Sequence, residues 1–393
     1  MMPYLNECGI VCSLGDTHEA IKARLFERAE SGVAMTDAWA KRVLPLACVT
    51  TELPSMAAWP VTQRSRNNQL ALAALAQIRH AVDAAIARFG AERIGIVIGT
   101  STSGVAAAES ALRQYAIDET LPEEFHYSQQ EMGSPASMLS IELGISGPAY
   151  VHSSACSSSA KAMASAARLL NMDLCDAVLT GGVDTMCAFT VAGFSALESV
   201  SAVQCNPLSA NRNGINIGEG AALFLMTREP AAVALRGWGE SSDGHHMSAP
   251  DPAGGGARLS ITQALQRAGI AAAEIDYINM HGTATVQNDA MESRVIQDLF
   301  GADVAVSSTK PFTGHTLGAA AAIEAAICWL AMQDDNMDGT LPPHLWDGVQ
   351  DASLPSLNVV APGTSLGRPV RWALSNSFAF GGSNATLVFG RSA

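Results

Sequence analysis

The stretch Val151-His-Ser-Ser-Ala-Cys156-Ser-Ser-Ser-Ala160 sets one cysteine among small residues where an extended run turns into a helical one. Beyond it Ala160, Met163, Ala164 and Ala167 recur at i, i+3, i+4 and i+7, the spacing of a helix with one buried face. Cys156 therefore sits at the start of the predicted helix. There, unpaired amides and the positive end of the helix dipole favour a thiolate, which makes Cys156 the candidate nucleophile without a dedicated base. The same residue types also suit a buried structural cysteine, so the rest of the chain must discriminate.

Working outward, Ile94-Gly-Ile-Val-Ile98 reads as a buried strand opening at Gly99-Thr100, and Tyr277-Ile-Asn-Met280 opens likewise at His281-Gly282-Thr283. Each is followed by a strand-like segment and an alanine-rich helix, Val151 to Leu170 and Val304 to Leu330. Each half then reaches a glycine pair, Gly181-Gly182 and Gly381-Gly382. Strands alternating with helices in a repeated order imply largely parallel sheets with helices on their faces. The strand-like run Ala221 to Thr227 and the following Gly237-Trp238-Gly239 put the division near residue 235, giving halves 1–235 and 236–393. The run Ala319 to Ala326 is expected to be a buried helix, because small side chains allow close packing and an exposed helix would carry charge.

Composition narrows the function. Of 393 residues 48% are hydrophobic and 15% charged, and the 34 glycines form no linker-like tract, which together suggest one compact unit with a large layered core. A net charge of -14 argues against nucleic acid, whose phosphates require clustered Lys and Arg. The eight cysteines show no paired metal-ligand spacing, so no metal is expected. No basic-then-apolar leader is seen, and Glu324 interrupts the apolar stretch Gly318 to Met332; neither a signal peptide nor a spanning helix is expected. A reduced, cytoplasmic protein is the expectation.

Three further segments join the cysteine run in order: His281-Gly-Thr-Ala-Thr285, Ser307-Ser-Thr-Lys310-Pro-Phe-Thr-Gly-His315, and Asn376-Ser-Phe-Ala-Phe380-Gly-Gly-Ser-Asn384. Together the four resemble the β-ketoacyl-[acyl carrier protein] synthases, the elongating ketosynthases, over about Ile94 to Phe389. The resemblance implies the thiolase fold: duplicated mixed-sheet halves in a five-layer α-β-α-β-α arrangement. It also implies decarboxylative condensation of malonyl carrier protein with an acyl chain held on Cys156. The oxyanion hole would be the backbone N–H groups of Cys156 and Phe380, and neutral His281 and His315 would stabilise the enolate oxygen. Lys310 and Glu324 would support the histidines as a polar network.

The resemblance makes Phe378, Ala379, Phe380, Gly381 and Gly382 a gating loop. Ala379 and Ser383 depart from the usual Gly and Thr, and alanine is expected to restrict the loop. Thr102 falls where the family lines its acyl pocket. Asn206-Pro-Leu-Ser209 and Arg212-Asn-Gly214 lack the family's carboxylates, which weakens an expected ion pair.

Substrates would ride on the phosphopantetheine arm of an acyl carrier protein, with no other cofactor. Arg64, Arg66 and Arg212 are the candidates for docking that acidic partner. A homodimer or a heterodimer with a chain-length-factor-like homologue is expected, with Gly133 to Met138, Leu139, Ile141 and Leu143 near the interface. The departures favour a specialised branch such as aryl polyene synthesis over primary fatty acid elongation. The alternative reading is a chain-length-factor-like partner subunit, which usually lacks the nucleophile. A thiolase or a Cys-His hydrolase accounts for fewer of the segments.

Overall fold

A computed structural model describes residues 2–392 of the protein. Its first half contributes β1 (Tyr4–Cys12), β2 (Ile94–Gly99), β3 (Ala149–His152), β4 (Ala177–Asp184) and β5 (Gly220–Thr227). The second contributes β6 (Val233–Ser242), β7 (Tyr277–Asn279), β8 (Ala305–Ser307), β9 (Asn358–Val359), β10 (Trp372–Ala379) and β11 (Ser383–Arg391). In the first half β2 runs parallel to β3 and β4, β4 pairs antiparallel with β5, and β5 with β1. The second half repeats this: β7 is parallel to β8 and β10, β10 is antiparallel to β11, and β11 to β6. The two sets meet where Tyr4 of β1 pairs with Ala234 of β6. Residue 235 and the Gly237-Trp238-Gly239 run therefore lie inside β6, so a break after 235 would cut a strand.

Side-chain alternation builds the layers. Along β5, Ala222, Phe224 and Met226 face a central core, while Ala221, Leu223 and Leu225 face an outer one. The helices α1 (Arg66–Phe89), α2 (Val105–Asp118), α3 (Ser134–Leu143) and α4 (Ser158–Asn171) belong to the first half. So does α5 (Ala188–Ala196), and the second half adds α6 (Gly255–Ala268), α7 (Val286–Phe300) and α8 (Ala320–Ala331). Residues of α4 and α8 share the central core, those of α1 and α3 cover the first sheet, and those of α6 and α7 the second. This is the five-layer thiolase fold. The alanine run is buried as expected, every residue of α8 being inaccessible or nearly so.

Two glycines set how closely the central helices approach the sheet. A Cβ on Gly99 would lie 2.3 Å from the Ser159 nitrogen, and one on Gly182 would lie 2.6 Å from Ser159 Cβ and 3.1 Å from Ala319 Cα. Any side chain there would push α4 or the start of α8 out of place.

Two helices bear on the expectations. By length and composition α1 could cross a membrane, with a window of mean hydropathy 1.4. Here Leu70, Ala74, Ile78 and Val82 instead pack on the first sheet. The helix begins at Ser65, whose side chain accepts from Asn68 N, and ends at Gly90 with φ 90°. In α3, Ala136, Met138, Leu139 and Leu143 belong to the core beneath the first sheet, and only Ile141 of the named apolar positions is exposed. Most of this helix's apolar face is thus core of the chain itself, and Ser137 and Ile141 are what it presents outward.

Candidate active site

A left-handed Ala155, at φ 51°, turns the chain sharply before α4, and Ser157 N and Ser158 N close the turn onto Ser154 O and Ala155 O. Cys156 is thereby held one residue before the Ser157 cap, its side chain buried at the foot of a cleft of about 580 Å³. His281 follows the end of β7, and His315 follows the short turn Lys310–Thr313 after β8. His315 is fixed through its backbone, its N–H donating to Asn216 O at 2.6 Å and its carbonyl accepting from Gly218 N at 2.9 Å. The two imidazoles stand edge to face with centroids 5.3 Å apart.

His315 Nε2 lies 3.1 Å from Cys156 Sγ, and the ligand atoms of Cys156, His281 and His315 all fall within 4.8 Å of one another. Such a donor set could hold a thiophilic cation, a possibility that sequence spacing could not reveal. The Lys310 ammonium, 3.5 Å from His281 Nδ1, opposes one electrostatically. That ammonium is 2.5 Å from Glu324 Oε1, and both side chains are buried. A lysine can only donate, so His281 Nδ1 is the acceptor and its proton resides on Nε2, on the side of the cleft.

Burial dominates the electrostatics. It pushes the Cys156 thiol up to about 12, against the pull of Lys310 and of the Phe380 N–H, which is hydrogen-bonded to the sulfur. The expected thiolate at a helix start is thus overturned: desolvation outweighs the dipole, and His315 is the adjacent group able to share the proton. Burial first, and Lys310 second, hold both histidines well below the usual imidazole range, so both are neutral at pH 7. Glu324 is raised by burial, with Lys310 drawing it back down.

The beta-ketoacyl synthase N-terminal domain model matches residues 36–232 and the C-terminal domain model residues 232–345. The chain belongs to the β-ketoacyl synthase family. Nodulation protein E of Rhizobium meliloti (strain 1021) is 34% identical over 312 residues, 76% of this chain and 75% of that one. The 3-oxoacyl-[acyl-carrier-protein] synthase 2 of the same strain is 33% identical, over 76% and 74% of the two chains. Among solved structures, a chain from the complex of a ketosynthase with its chain length factor, from Xenorhabdus doucetiae, superposes with a TM-score of 0.94. It is 43% identical over 100% of this chain and 98% of that one. The ishigamide ketosynthase/chain length factor gives 0.88 at 25% identity, covering 100% and 99%.

Within this ketosynthase framework the other expected residues separate. Phe378 and Ala379 end β10, and Phe380 to Gly382 form a tight turn in which Gly381 and Gly382 take φ 81° and 74°. Ala379 is extended, at φ -89° and ψ 154°, a conformation any residue adopts, so alanine carries no strain in this arrangement of the loop. Phe380 packs on Phe194 with ring centroids 5.6 Å apart. Thr102 does not line the cleft; its hydroxyl donates to Asp184 Oδ1 at 2.9 Å and accepts from Thr185 N at 3.1 Å. Thr100, Ser101 and Gly318 also donate to that buried carboxylate.

The docking arginines are also committed to structural contacts. Arg212 is buried and pairs with Asp351 at 2.5 Å, which restores an ion pair despite the missing local carboxylates. Arg66 pairs with the buried Glu219 at 2.6 Å. Arg64, half-buried, donates to the carbonyls of Trp59 and Ala57, and among the described residues it has no carboxylate partner.

Sequence reading missed Glu292. Its carboxylate accepts the backbone N–H groups of His281 and Gly282, both at 2.8 Å, and fixes the loop that presents His281. Burial raises it to about 7. Asp289 and Glu292 share the inward side of α7 with Met291, Val295 and Ile296, and paired acids at i, i+3 among those apolar positions were a legible signal. Thr283 and Thr285, with hydroxyls 2.9 Å apart, line the cleft beside them.

Proposed function

We propose that Cys156 accepts an acyl chain from a carrier-protein thioester and that the chain is then joined to a malonyl unit with loss of carbon dioxide. The convergence of the Cys156, His281 and His315 donor atoms within 4.8 Å carries this reading. In the first half-reaction the sulfur bonds the acyl carbon, the carrier's C–S bond breaks, and the carrier leaves as its thiol. The N–H groups of Cys156 and Phe380 receive the transient oxyanion; loss of one such donor typically slows acyl transfer by about 10² to 10³. In the second, malonyl thioester releases carbon dioxide and the enolate carbon attacks the acyl thioester, returning the thiolate. Neutral His281 and His315 donate to the enolate oxygen, while Lys310, backed by Glu324, and Glu292 position His281, and backbone bonds to Asn216 and Gly218 position His315.

An acyl carrier protein is the substrate-bearing partner, and no cofactor beyond its pantetheine arm takes part. The cleft wall, with Thr283, Thr285, Ser248 and Asn384, suits an amide-bearing arm. The protein works in the cytoplasm. The second subunit is a homologous chain, and a chain-length-factor-like one is favoured by the 43% identity to a chain of such a complex, against 33% to the 3-oxoacyl-[acyl-carrier-protein] synthase 2. The same difference supports the specialised branch. The open edge of β3, with Tyr150, and the exposed Leu112, Tyr115 and Ile117 of α2 offer that homologue an apolar surface.

Intact-mass measurement after incubation with acyl carrier proteins of different chain length tests the reading. A mass increment on the wild type that is absent from Cys156→Ala is expected; an increment on the variant overturns the assignment. The partner-subunit reading predicts no increment on either.

A further inference from the structure

One cation near the active site has no counterion. Lys161 lies on α4, five residues after Cys156, half-buried on a helix whose other side chains are mostly inaccessible. Among the described residues no carboxylate approaches it within 4.0 Å. Its ammonium is instead 2.5 Å from Ser383 Oγ. An ammonium taken partly out of water without a carboxylate is costly, so the contact it makes must repay the desolvation.

Ser383 is the first residue after the Phe380–Gly382 turn. Its hydroxyl also lies 3.0 Å from that of Ser157, the residue after Cys156, whose single proton is shared between Ser383 Oγ and Ser154 O, 2.8 Å away. The far side of the turn is held by backbone alone: Gly381 N donates to Met247 O, and Asp243 N to Gly382 O, each at 2.8 Å. Lys161 and Ser157 thus tie the turn to the nucleophile helix, and the Phe380 N–H that this turn carries is hydrogen-bonded to Cys156 Sγ. Gly381 and Gly382 leave the turn free to rearrange, and a charge-assisted bond at its exit restrains it.

We propose that Lys161 is a positioning residue which, through Ser383, holds the Phe380 N–H in place to receive the oxyanion during acyl transfer to Cys156. The inference rests on the acyl-transfer reading above. It assigns Lys161 to the first half-reaction alone, because His281 is anchored by Lys310 and Glu292, and His315 by backbone bonds to Asn216 and Gly218.

The test measures two rates on the full chain with its partner: single-turnover acylation of Cys156, and carbon dioxide release from malonyl carrier protein. Lys161→Met and Ser383→Ala should each slow acylation by about 10-fold, less than outright loss of an oxyanion donor. Carbon dioxide release should stay within about 2-fold of wild type. The double variant should be no more than about 2-fold worse than either single one, since both remove one contact. Lys161→Arg, which keeps a donor, should recover most of the rate. Hydrogen exchange in the peptide spanning 379–385 should quicken in Lys161→Met while the melting temperature changes little.

Acylation at the wild-type rate in folded Lys161→Met overturns the inference. So does an equal loss in both half-reactions, or multiplicative effects in the double variant. A wild-type chain that takes no acyl group brings down the functional reading instead.

Discussion

The two central helices occupy equivalent places in the repeated halves, yet their N-terminal ends do opposite work. The first half presents a sulfur at the foot of α4, held by a strained Ala155 turn and hydroxyl contacts among Ser154, Ser157 and Ser158. The second presents two imidazoles ahead of α8: His281 is held by buried ions, Lys310 with Glu324 on one side and Glu292 beneath, and His315 by its backbone. Duplication supplies the geometry that makes the two ends meet. The first end works through a desolvated thiol and backbone donors, whereas the second requires charges, because neutral histidines must be oriented without being protonated.

The sharpest way to break this division is Cys156→Ala, which should reduce acyl transfer to background with the fold intact, measured by intact mass and circular dichroism. Residual acylation would move the nucleophile elsewhere. His281→Ala and His315→Ala should each cut carbon dioxide release by about 10² to 10³ while the chain still accepts an acyl group. Contact with Cys156 sharpens the expectation: only His315→Ala should also slow acylation, and equal acylation rates in the two variants would contradict the 3.1 Å pairing.

Buried charge is the next difference. Lys310→Met leaves Glu324 without its cation and should cost about 3–5 kcal/mol in denaturant unfolding. A loss under 1 kcal/mol would mean that water already reaches the pair. Glu292 makes the same point through pH. Its carboxyl is raised from 4.5 to about 7 on folding, so the folded chain binds that proton more readily than the unfolded one. Stability contributed by the protonated form is present below pH 4.5 and is lost as pH rises towards 7. Glu292→Gln should flatten this fall, and an unchanged slope between pH 4.5 and 7 would exclude Glu292 as its source. The smallest effect belongs to Thr102→Val, which removes one of several donors to Asp184. It should cost about 1–2 kcal/mol and leave acyl-chain preference unaltered; a changed preference would return Thr102 to the pocket.

Much of this chain was legible locally. Periodicity at 160–167 gave the nucleophile helix, apolar runs opening at Gly99 and His281 gave the repeated strands, and an alanine run holding only Glu324 gave the buried helix. The ordered motifs brought His281, Lys310 and His315 to the right neighbourhood. These readings depend on residues a few positions apart, where backbone geometry alone fixes which side chains share a face.

What the tertiary structure decided depends on partners far apart in the chain. Cys156 and His315 are separated by 159 positions and Arg66 and Glu219 by 153, while Arg212 finds Asp351 across 139. Proton affinity and exposure are set by the water removed and the charges brought near, and both follow from packing rather than from spacing. Sequence therefore singled out Cys156 as the candidate nucleophile, and only the fold showed that burial raises its thiol beside His315. It likewise named three arginines and a threonine, and only the fold turned Arg66, Arg212 and Thr102 inward.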